Sequence, residues 1–243
     1  MVAFLRKIGH NVNIISPKQH DAKSKGVEIV LKKRLFALLL TLALMFSLSA
    51  AVLAASVNDF TDVPQNIWYR DAVDYVVQRG YMVGASANRF NPDGGVTRAQ
   101  ICQVLYAMND KPIAGTTPKF SDVSADAWYA AAINWCYIFG VISGYPDGTF
   151  HPSEYVTREQ LCCILYQYSI KKGYCEEGAG ANVVLAGFPD VNDISGWAYE
   201  GLAWCVMKGV ISGSNKGLEP QKVANRAQIA AILRSYDQKV RFA

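Results

Sequence analysis

Histidine is scarce in this chain of 243 residues, and His151 is the single histidine beyond residue 20. Because a zinc site needs several clustered histidine or cysteine ligands, we expect no metal site. The sequence also has no Gly-x-Ser-x-Gly element, phosphate-binding loop or catalytic cysteine and histidine pair. Its acidic residues recur singly in repeated turns, whereas glycan hydrolysis needs two carboxylates across one cleft. We therefore predict that the protein is not an enzyme and uses no cofactor.

A net positive charge is lacking from most of the chain. The formal net charge is +4, but the first 54 residues hold eight Lys and Arg against two acidic residues, so the remainder carries −2. Binding of nucleic acid requires a patch of Lys and Arg that neutralises phosphates. We therefore expect no nucleic-acid partner.

The basic charges precede a short apolar run. Lys32, Lys33 and Arg34 come before the uncharged stretch 35–48, and small residues follow up to position 55. This layout is typical of a secretory signal peptide, which we assign to 31–55. The alternative is an uncleaved membrane anchor, although the run is shorter than the roughly 20 residues that span a bilayer comfortably. We interpret 1–30 as an upstream extension from a misassigned start, and predict a secreted protein that leaves the membrane after cleavage.

One block of sequence occurs three times after residue 56. Each copy opens with a Phe-x-Asp-Val tetrapeptide, passes a tryptophan and a glycine-rich turn, and closes with Arg-Ala-Gln or Arg-Glu-Gln. Such repetition is a strong signal of modular organisation. It predicts units at 56–110, 118–172 and 186–243, with a glycine-rich linker at 173–185, and we expect the three units to form one domain.

Each unit is predicted to contain two helices joined by a short extended turn. Apolar residues after the tryptophan recur at the spacing of a helix that buries one stripe. This first helix is predicted to end at Gly80, Gly140 or Gly209, which suits the left-handed residue that closes a helix. The second helix begins with a capping box, in which Thr or Asn is followed three residues later by Gln.

An arginine follows the cap in every unit, at Arg98, Arg158 and Arg226. A cation in the first helical turn opposes the helix dipole, at a cost of roughly 0.3–1 kcal/mol. One explanation is that the arginine and the free backbone amides together face an anion. The other is an ion pair with the opening aspartate of a neighbouring unit. The pattern leaves both explanations open.

Six cysteines lie beyond residue 100. An even number in a secreted chain permits disulfides. However, Cys102 and Cys162 occupy the same repeat position, as do Cys136 and Cys205, and all four lie on predicted apolar helix faces. We therefore favour buried, reduced cysteines that act as small hydrophobic residues.

The combined pattern resembles the S-layer homology (SLH) domain family of bacterial surface proteins. The resemblance rests on Phe-Thr-Asp-Val, Gly-Val-Ile-Ser-Gly-Tyr-Pro-Asp-Gly-Thr-Phe and Val-Thr-Arg-Glu-Gln, and it covers about residues 58–240. It implies a mainly α fold, with three helix-loop-helix motifs in a pseudo-threefold arrangement around a central three-helix bundle. It also implies non-covalent binding to a secondary cell-wall polysaccharide that is linked to peptidoglycan and often carries acidic pyruvyl ketals.

The resemblance also implies ligand-binding roles at matching positions. The arginines would bind sugar carboxylates, and the opening aspartates would bind sugar hydroxyls or hold the arginine, unless they cap a helix. The tryptophans would stack on sugar faces, unless they anchor the core. The glycines would let the sugar approach the backbone, and the tyrosine would form a groove wall. These residues are Arg98, Arg158, Arg226, Asp62, Asp122, Asp190, Trp68, Trp128, Trp197, Gly84, Gly144, Gly213 and Tyr145.

Two other functions stay open at this point. The chain could be a structural subunit that assembles with itself or recruits a surface protein, without direct glycan binding. It could also be a calcium-dependent module, but the loop 147–154 lacks the dense alternating oxygen ligands of such sites. Because the second unit keeps the most complete pattern, the sequence predicts that Arg158 contributes more to wall binding than Arg226.

Overall fold

Six α-helices carry the fold in the computed structural model, which describes residues 56–115 and 119–243. They are α1 (Arg70–Gln78), α2 (Arg98–Ala107), α3 (Ala130–Ile138), α4 (Arg158–Lys171), α5 (Tyr199–Met207) and α6 (Arg226–Tyr236). Short 3-10 turns occur at Val57–Asp59, Val191–Asp193 and Gly196–Ala198, and a π-turn at Asp237–Arg241. Isolated bridges, and no strands, join the extended segments of the described part. The predicted mainly α class is confirmed, whereas the predicted signal peptide and upstream extension lie outside the described residues.

Local signals set the helix ends as the sequence predicts. In each capping box, the cap side chain accepts from the glutamine amide and the glutamine side chain accepts from the cap amide. The caps are Thr97, Thr157 and Asn225. The residues just beyond α1, α3 and α5 are Gly80, Gly140 and Gly209, with φ of 68°, 75° and 69°. This left-handed conformation is one that glycine adopts without steric cost.

Helices pair between units rather than within them. The second helix of each unit packs against the first helix of the next, so α2 contacts α3, α4 contacts α5, and α6 contacts α1. The contact of α6 with α1 joins the third unit to the first. The chain thus closes a ring of three equivalent helix contacts.

The second helices approach one another through long side chains near their ends. The ring of Tyr168 in α4 lies 6.1 Å from that of Tyr236 in α6, and the hydroxyls of Ser169 and Tyr236 are 2.6 Å apart. Asn109, just after α2, donates to the Tyr168 hydroxyl at 3.0 Å. These contacts support a central bundle of α2, α4 and α6, but that bundle and its pseudo-threefold arrangement stay predictions.

The cysteines form no disulfide among the described residues, as the spacing suggested. All six are free, and four of them are buried. Cys136 faces the Cys102 carbonyl oxygen at 3.8 Å, where α3 meets α2. Cys205 makes the same contact with Cys162 at 3.6 Å, where α5 meets α4. These cysteines are therefore buried within two helix contacts, where interiors are close-packed.

The glycine-rich segment 173–185 is tied to the helices beside it. The amide of Gly178 donates to Glu200 Oε1 at 2.8 Å, and the Tyr199 hydroxyl donates to the Val183 carbonyl at 3.1 Å. Leu185, at its end, is buried. The boundaries of the three units stay predictions. In 56–115 and 119–243, none of the helices has the length and apolar character needed to cross a bilayer.

Candidate functional site

Three grooves with the same plan open at the beginnings of α2, α4 and α6. Each groove receives an arginine from one unit, an extended segment ending in glycine from the next unit, and a tryptophan from the third. The Arg98 groove contains Gly144 and Trp197, the Arg158 groove contains Gly213 and Trp68, and the Arg226 groove contains Gly84 and Trp128. The structure thus brings the predicted arginine, glycine and tryptophan positions together, one set to a groove.

The size of the grooves suits a small polar group. Their volumes are about 260 Å³ for the Arg98 groove, 330 Å³ for the Arg158 groove and 370 Å³ for the Arg226 groove. These values lie near the lower end of the roughly 300–1,000 Å³ typical of small-molecule sites. Each groove is therefore large enough for one or two sugar rings, not for a folded partner.

The next unit holds each arginine in place. Arg98 donates from Nε to the Phe150 carbonyl oxygen at 2.9 Å, and its guanidinium carbon lies 4.7 Å from the Phe150 ring centre and 5.2 Å from that of Tyr145. A guanidinium has five N–H donors, so this contact leaves the terminal nitrogens for a ligand. Arg98 is thus a positioned cation with unused donors.

The other two arginines are bound in the same way but are less available. Arg226 donates from Nε to Phe90 O at 2.7 Å and from a terminal nitrogen to Val83 O. Desolvation lowers the pKa of Arg226 from its usual value, although the group stays charged at neutral pH. Arg158 donates from Nε to Leu218 O at 2.7 Å, and only 7% of its surface is exposed.

The structure does not contain the ion pairs that the sequence left as an alternative. Among the described residues, no carboxylate oxygen lies within 4.0 Å of a charged nitrogen of Arg98, Arg158 or Arg226. The partners of these arginines are backbone carbonyls and aromatic rings instead. The charges are therefore not neutralised within the protein by direct pairing.

The expectation of free helix amides beside the arginines is wrong. The amide of Arg98 donates to Glu154 O at 2.9 Å, and that of Ala99 to Pro152 O at 3.1 Å. The amides that begin α4 and α6 have equivalent carbonyl partners in the next unit. Because these donors are used between units, the positive charge that a ligand meets comes from the guanidinium rather than from the helix terminus.

The opening aspartates hold the loop that the arginines also contact. Asp122 accepts from the backbone amides of Phe150 and His151, both at 2.7 Å. Asp122 thus binds the backbone amide of Phe150, and Arg98 binds its backbone carbonyl. Asp62 and Asp190 accept from equivalent amide pairs. None of the three aspartates lines an arginine groove, and Asp190 makes no cap bond to the 3-10 turn that follows it. A direct contact of these aspartates with sugar hydroxyls stays a prediction.

The same arrangement lowers the pKa of Asp62. Burial alone would raise its pKa, but the amides of Phe90 and Asn91 and the nearby Arg89 outweigh burial and lower it below the usual 3.8. Arg89 Nε lies 3.6 Å from Asp62 Oδ2. A carboxylate with two amide donors is a strong, charge-assisted anchor for a loop.

The glycine that recurs in each unit has a packing reason beneath the grooves. A Cβ atom on Gly84 would lie 2.6 Å from the Phe60 ring, and one on Gly213 would lie 2.6 Å from the Phe188 ring. Gly144 faces Phe120 in the same way. The missing side chain therefore makes room for the phenylalanine of the opening tetrapeptide, and the predicted close approach of a sugar stays untested.

The groove tryptophans are exposed, so the alternative of a core anchor is wrong. Trp68, Trp128 and Trp197 expose 66%, 62% and 64% of their surfaces. Tyr145 lines the Arg98 groove, stacks on His151 with ring centres 4.4 Å apart, and donates to Glu154 Oε2 at 3.2 Å. It thus occupies the wall position that the resemblance implied.

Sequence analysis missed two kinds of groove residue. The capping glutamines Gln100, Gln160 and Gln228 line the Arg226, Arg98 and Arg158 grooves. Their side-chain oxygens serve the caps, which leaves the amide NH₂ end for a ligand. Their identity in all three units was the available signal, but capping already explained it. The second kind is Glu219, which lines the Arg158 groove.

Metal ligands do not cluster in the part of the chain that the structure describes. No group of three or more His, Cys, Asp or Glu side chains there could hold an ion. The polar groups that line the grooves are guanidinium, amide and hydroxyl groups, with the carboxylate of Glu219 in the Arg158 groove.

Comparison with known families shows to which family the chain belongs. The model of the S-layer homology domain matches residues 59–102, 119–162 and 187–230, which together make up more than half of the chain. This chain belongs to the S-layer homology family. Each match contains one complete set of opening tetrapeptide, glycine turn and capped arginine, so the three predicted SLH motifs are confirmed. The protein is accordingly a secreted protein of the bacterial cell wall and surface.

Curated relatives share this region within much longer proteins. The chain is 32% identical over 187 residues to an exoglucanase XynX of Acetivibrio thermocellus and 31% over 177 residues to an amylopullulanase of Thermoanaerobacterium thermosulfurigenes. It is 29% identical over 159 residues to a cellulosome-anchoring protein of Acetivibrio thermocellus. The matches cover 76%, 72% and 63% of this chain but only 16%, 9% and 34% of the relatives. They support a role in anchoring at the cell surface.

Proposed function

We propose that this SLH protein anchors non-covalently to the cell wall by binding an acidic, pyruvylated secondary polysaccharide in its grooves. The observation that carries the proposal is the threefold recurrence of a positioned arginine, an exposed tryptophan and a capping glutamine in one groove. The partner is then a polysaccharide attached to peptidoglycan. The role is one of binding and not of catalysis.

The groove chemistry fits such a ligand. The terminal nitrogens of Arg98 can bind a ketal carboxylate in a charge-assisted contact, which contributes roughly 1.5–3 kcal/mol. The indole face of Trp197 offers a flat apolar surface for the C–H face of a sugar, while Gln160 can bind hydroxyls. A polymer that reaches several grooves gains avidity by about 10²–10⁴ over a single contact. Weak individual sites therefore suffice for stable attachment.

Co-sedimentation with purified sacculi tests the proposal. The protein should sediment with native sacculi and stay in solution after hydrofluoric acid has removed the secondary polymer. The variant Arg98→Ala/Arg226→Ala should lose most of its binding. Arg234→Ala is the matched control, because Arg234 is a partly exposed arginine outside the grooves.

Two results would contradict the proposal. Unchanged binding to extracted sacculi would point to peptidoglycan itself as the ligand. Stable oligomers without wall material, together with no effect of the groove arginines, would favour a self-assembling subunit.

A further inference from the structure

One backbone position is occupied by three different residues beside the three grooves. Asn91, His151 and Glu219 follow the buried phenylalanine or leucine of their units, and each has a left-handed backbone with φ of 59°, 57° and 51°. Each also donates its amide to the opening aspartate of its unit. The backbone role is thus constant while the side chain changes from amide to imidazole to carboxylate.

Backbone preference explains two of the three residues. Asparagine and histidine are enriched at positive φ, whereas glutamate has no such preference. Asn91 lines the Arg226 groove and Glu219 lines the Arg158 groove. His151 stacks on Tyr145 in the wall of the Arg98 groove. The left-handed backbone therefore gives no reason for a glutamate at position 219. Its carboxylate, however, lines a groove.

Glu219 places a carboxylate, paired with Lys222, in the lining of the Arg158 groove. Among the described residues that line the three grooves, it is the single carboxylate. Its Oε1 accepts from Lys222 Nζ at 2.9 Å, and this hydrogen bond, helped by the nearby Arg158, lowers the pKa of Glu219. It therefore stays ionised at neutral pH, and an entering carboxylate would meet a like charge.

The rest of the Arg158 groove suits a neutral ligand. Arg158 is buried whereas Arg98 is partly exposed, so Arg158 offers less charge to a ligand than Arg98 does. The lining adds three hydroxyls and a glutamine amide, from Ser212, Ser214, Ser235 and Gln228. Hydroxyl and amide groups of an uncharged sugar match such a surface.

We propose that Glu219 makes the Arg158 groove select an uncharged sugar, while the Arg98 and Arg226 grooves take the acidic sugar. This inference rests on the proposed function and assigns different residues of the same polymer to different grooves. The protein would then recognise a polysaccharide in which charged and neutral sugars occur in a fitting order, rather than three equal acidic sugars.

Each groove has its own spectroscopic reporter. The indole N–H signals of Trp197, Trp128 and Trp68 report on the Arg98, Arg226 and Arg158 grooves, and the two remaining tryptophans, Trp135 and Trp204, serve as internal references. The full protein is titrated in NMR with a methyl glycoside bearing a pyruvyl ketal, and with the same glycoside without the ketal. Single Trp→Phe variants assign the signals.

The wild-type protein should show a graded response. The ketal probe should shift the Trp197 and Trp128 signals with at least about tenfold tighter binding than it shifts Trp68, as expected for like-charge repulsion in a partly desolvated site. The neutral probe should shift Trp68. In Glu219→Asn, which places the residue of the Arg226 groove at this position, the ketal probe should bind at Trp68 within about threefold of the other two sites.

Matched variants separate the outcomes. Glu177→Gln removes one exposed negative charge outside the grooves and should change nothing. Wild-type binding of the ketal probe at all three signals with equal affinity, or no gain in Glu219→Asn, would overturn the inference and leave the proposed function standing. Absence of ketal binding at Trp197 and Trp128 would remove the proposed function, and the inference with it. Glu219→Asn should melt within a few degrees of wild type, since its backbone amide still reaches Asp190.

Discussion

The Arg98 groove and the Arg158 groove follow one plan and differ in chemistry. In the Arg98 groove, the arginine lies over the rings of Phe150 and Tyr145 and keeps part of its surface exposed. In the Arg158 groove, Leu218 replaces the ring and the arginine is buried. The repeat thus preserves the backbone frame and varies the side chains that a ligand contacts.

The most complete unit does not supply the arginine of the most complete groove. The sequence ranks Arg158 above Arg226 because the second unit has the full Tyr-Pro-Asp-Gly turn. In the structure that turn lines the groove of Arg98, which comes from the first unit, and Arg158 faces the altered turn of the third unit. An arginine and its turn belong to successive units, so the pattern of the second unit favours Arg98 as the stronger ligand contact.

Arginine substitutions should show most clearly that the Arg98 and Arg158 grooves are not equivalent. We expect Arg98→Ala to weaken binding to sacculi by roughly 10–100-fold, the value of one charge-assisted contact. Arg158→Ala should weaken binding about threefold but lower the free energy of unfolding by roughly 1–3 kcal/mol, because it removes a buried, hydrogen-bonded group. Co-sedimentation and urea denaturation measure the two effects. A larger binding loss in Arg158→Ala, at equal stability, would reverse our ranking.

Tryptophan substitutions should sharpen the difference with a smaller effect. Trp197→Ala should weaken binding of the pyruvylated glycan about three- to tenfold, the range of one aromatic stacking contact. Trp68→Ala, in the Arg158 groove, should weaken binding of the acidic monosaccharide less than twofold. Since both side chains are mostly exposed, unfolding free energies should change by less than about 0.5 kcal/mol. Affinities from fluorescence or NMR titration measure the contrast, and equal losses for both variants would show that the two grooves act alike.

The predictable part of the fold is its local part. Thr97 with Gln100 and the closing Gly80 act within a few residues of themselves, so the sequence alone fixes their roles. The partners of Arg98 and Asp122 lie 52 and 28 residues away, and Arg226 contacts Phe90 across 136 residues. The contacts of Arg98 and Arg226 depend on how the units close on one another, and that of Asp122 depends on how the loop of its own unit folds back. A repeat pattern encodes neither.

The candidate site was also predictable in part. Its residue types could be predicted because the family resemblance implies binding roles for the arginine, glycine and tryptophan that recur in each unit. Which of them share a groove could not, because Trp197 comes from the third unit to complete a site begun by Arg98. Glu219 was missed because it differs from the residues at the equivalent positions of the other units. The sequence alone does not show that it lies in the groove of Arg158.

Histidine gives the Arg98 groove a pH response that the Arg158 groove lacks. His151 Nδ1 lies 2.6 Å from Glu154 Oε1, and this hydrogen bond, with the nearby charges of Glu154, Asp122 and Asp147, raises the pKa of His151 above its usual 6.5. A raised pKa means that the protonated form stabilises the fold below the unfolded value, and that this contribution is lost as pH rises through the folded value. Loss of the proton also removes the positive charge that His151 places beside Glu154 near the groove.

We therefore expect binding of the acidic glycan at the Trp197 signal to weaken by about two- to threefold between roughly pH 5.5 and 8.5, a small effect because the pair is exposed and screened by salt. The Trp68 signal should show no such change. His151→Asn, which keeps a residue suited to the left-handed backbone, should abolish the response. If the variant kept the wild-type pH dependence, the titrating group would lie elsewhere, and the difference between the two grooves would rest on Glu219 and the burial of Arg158 alone.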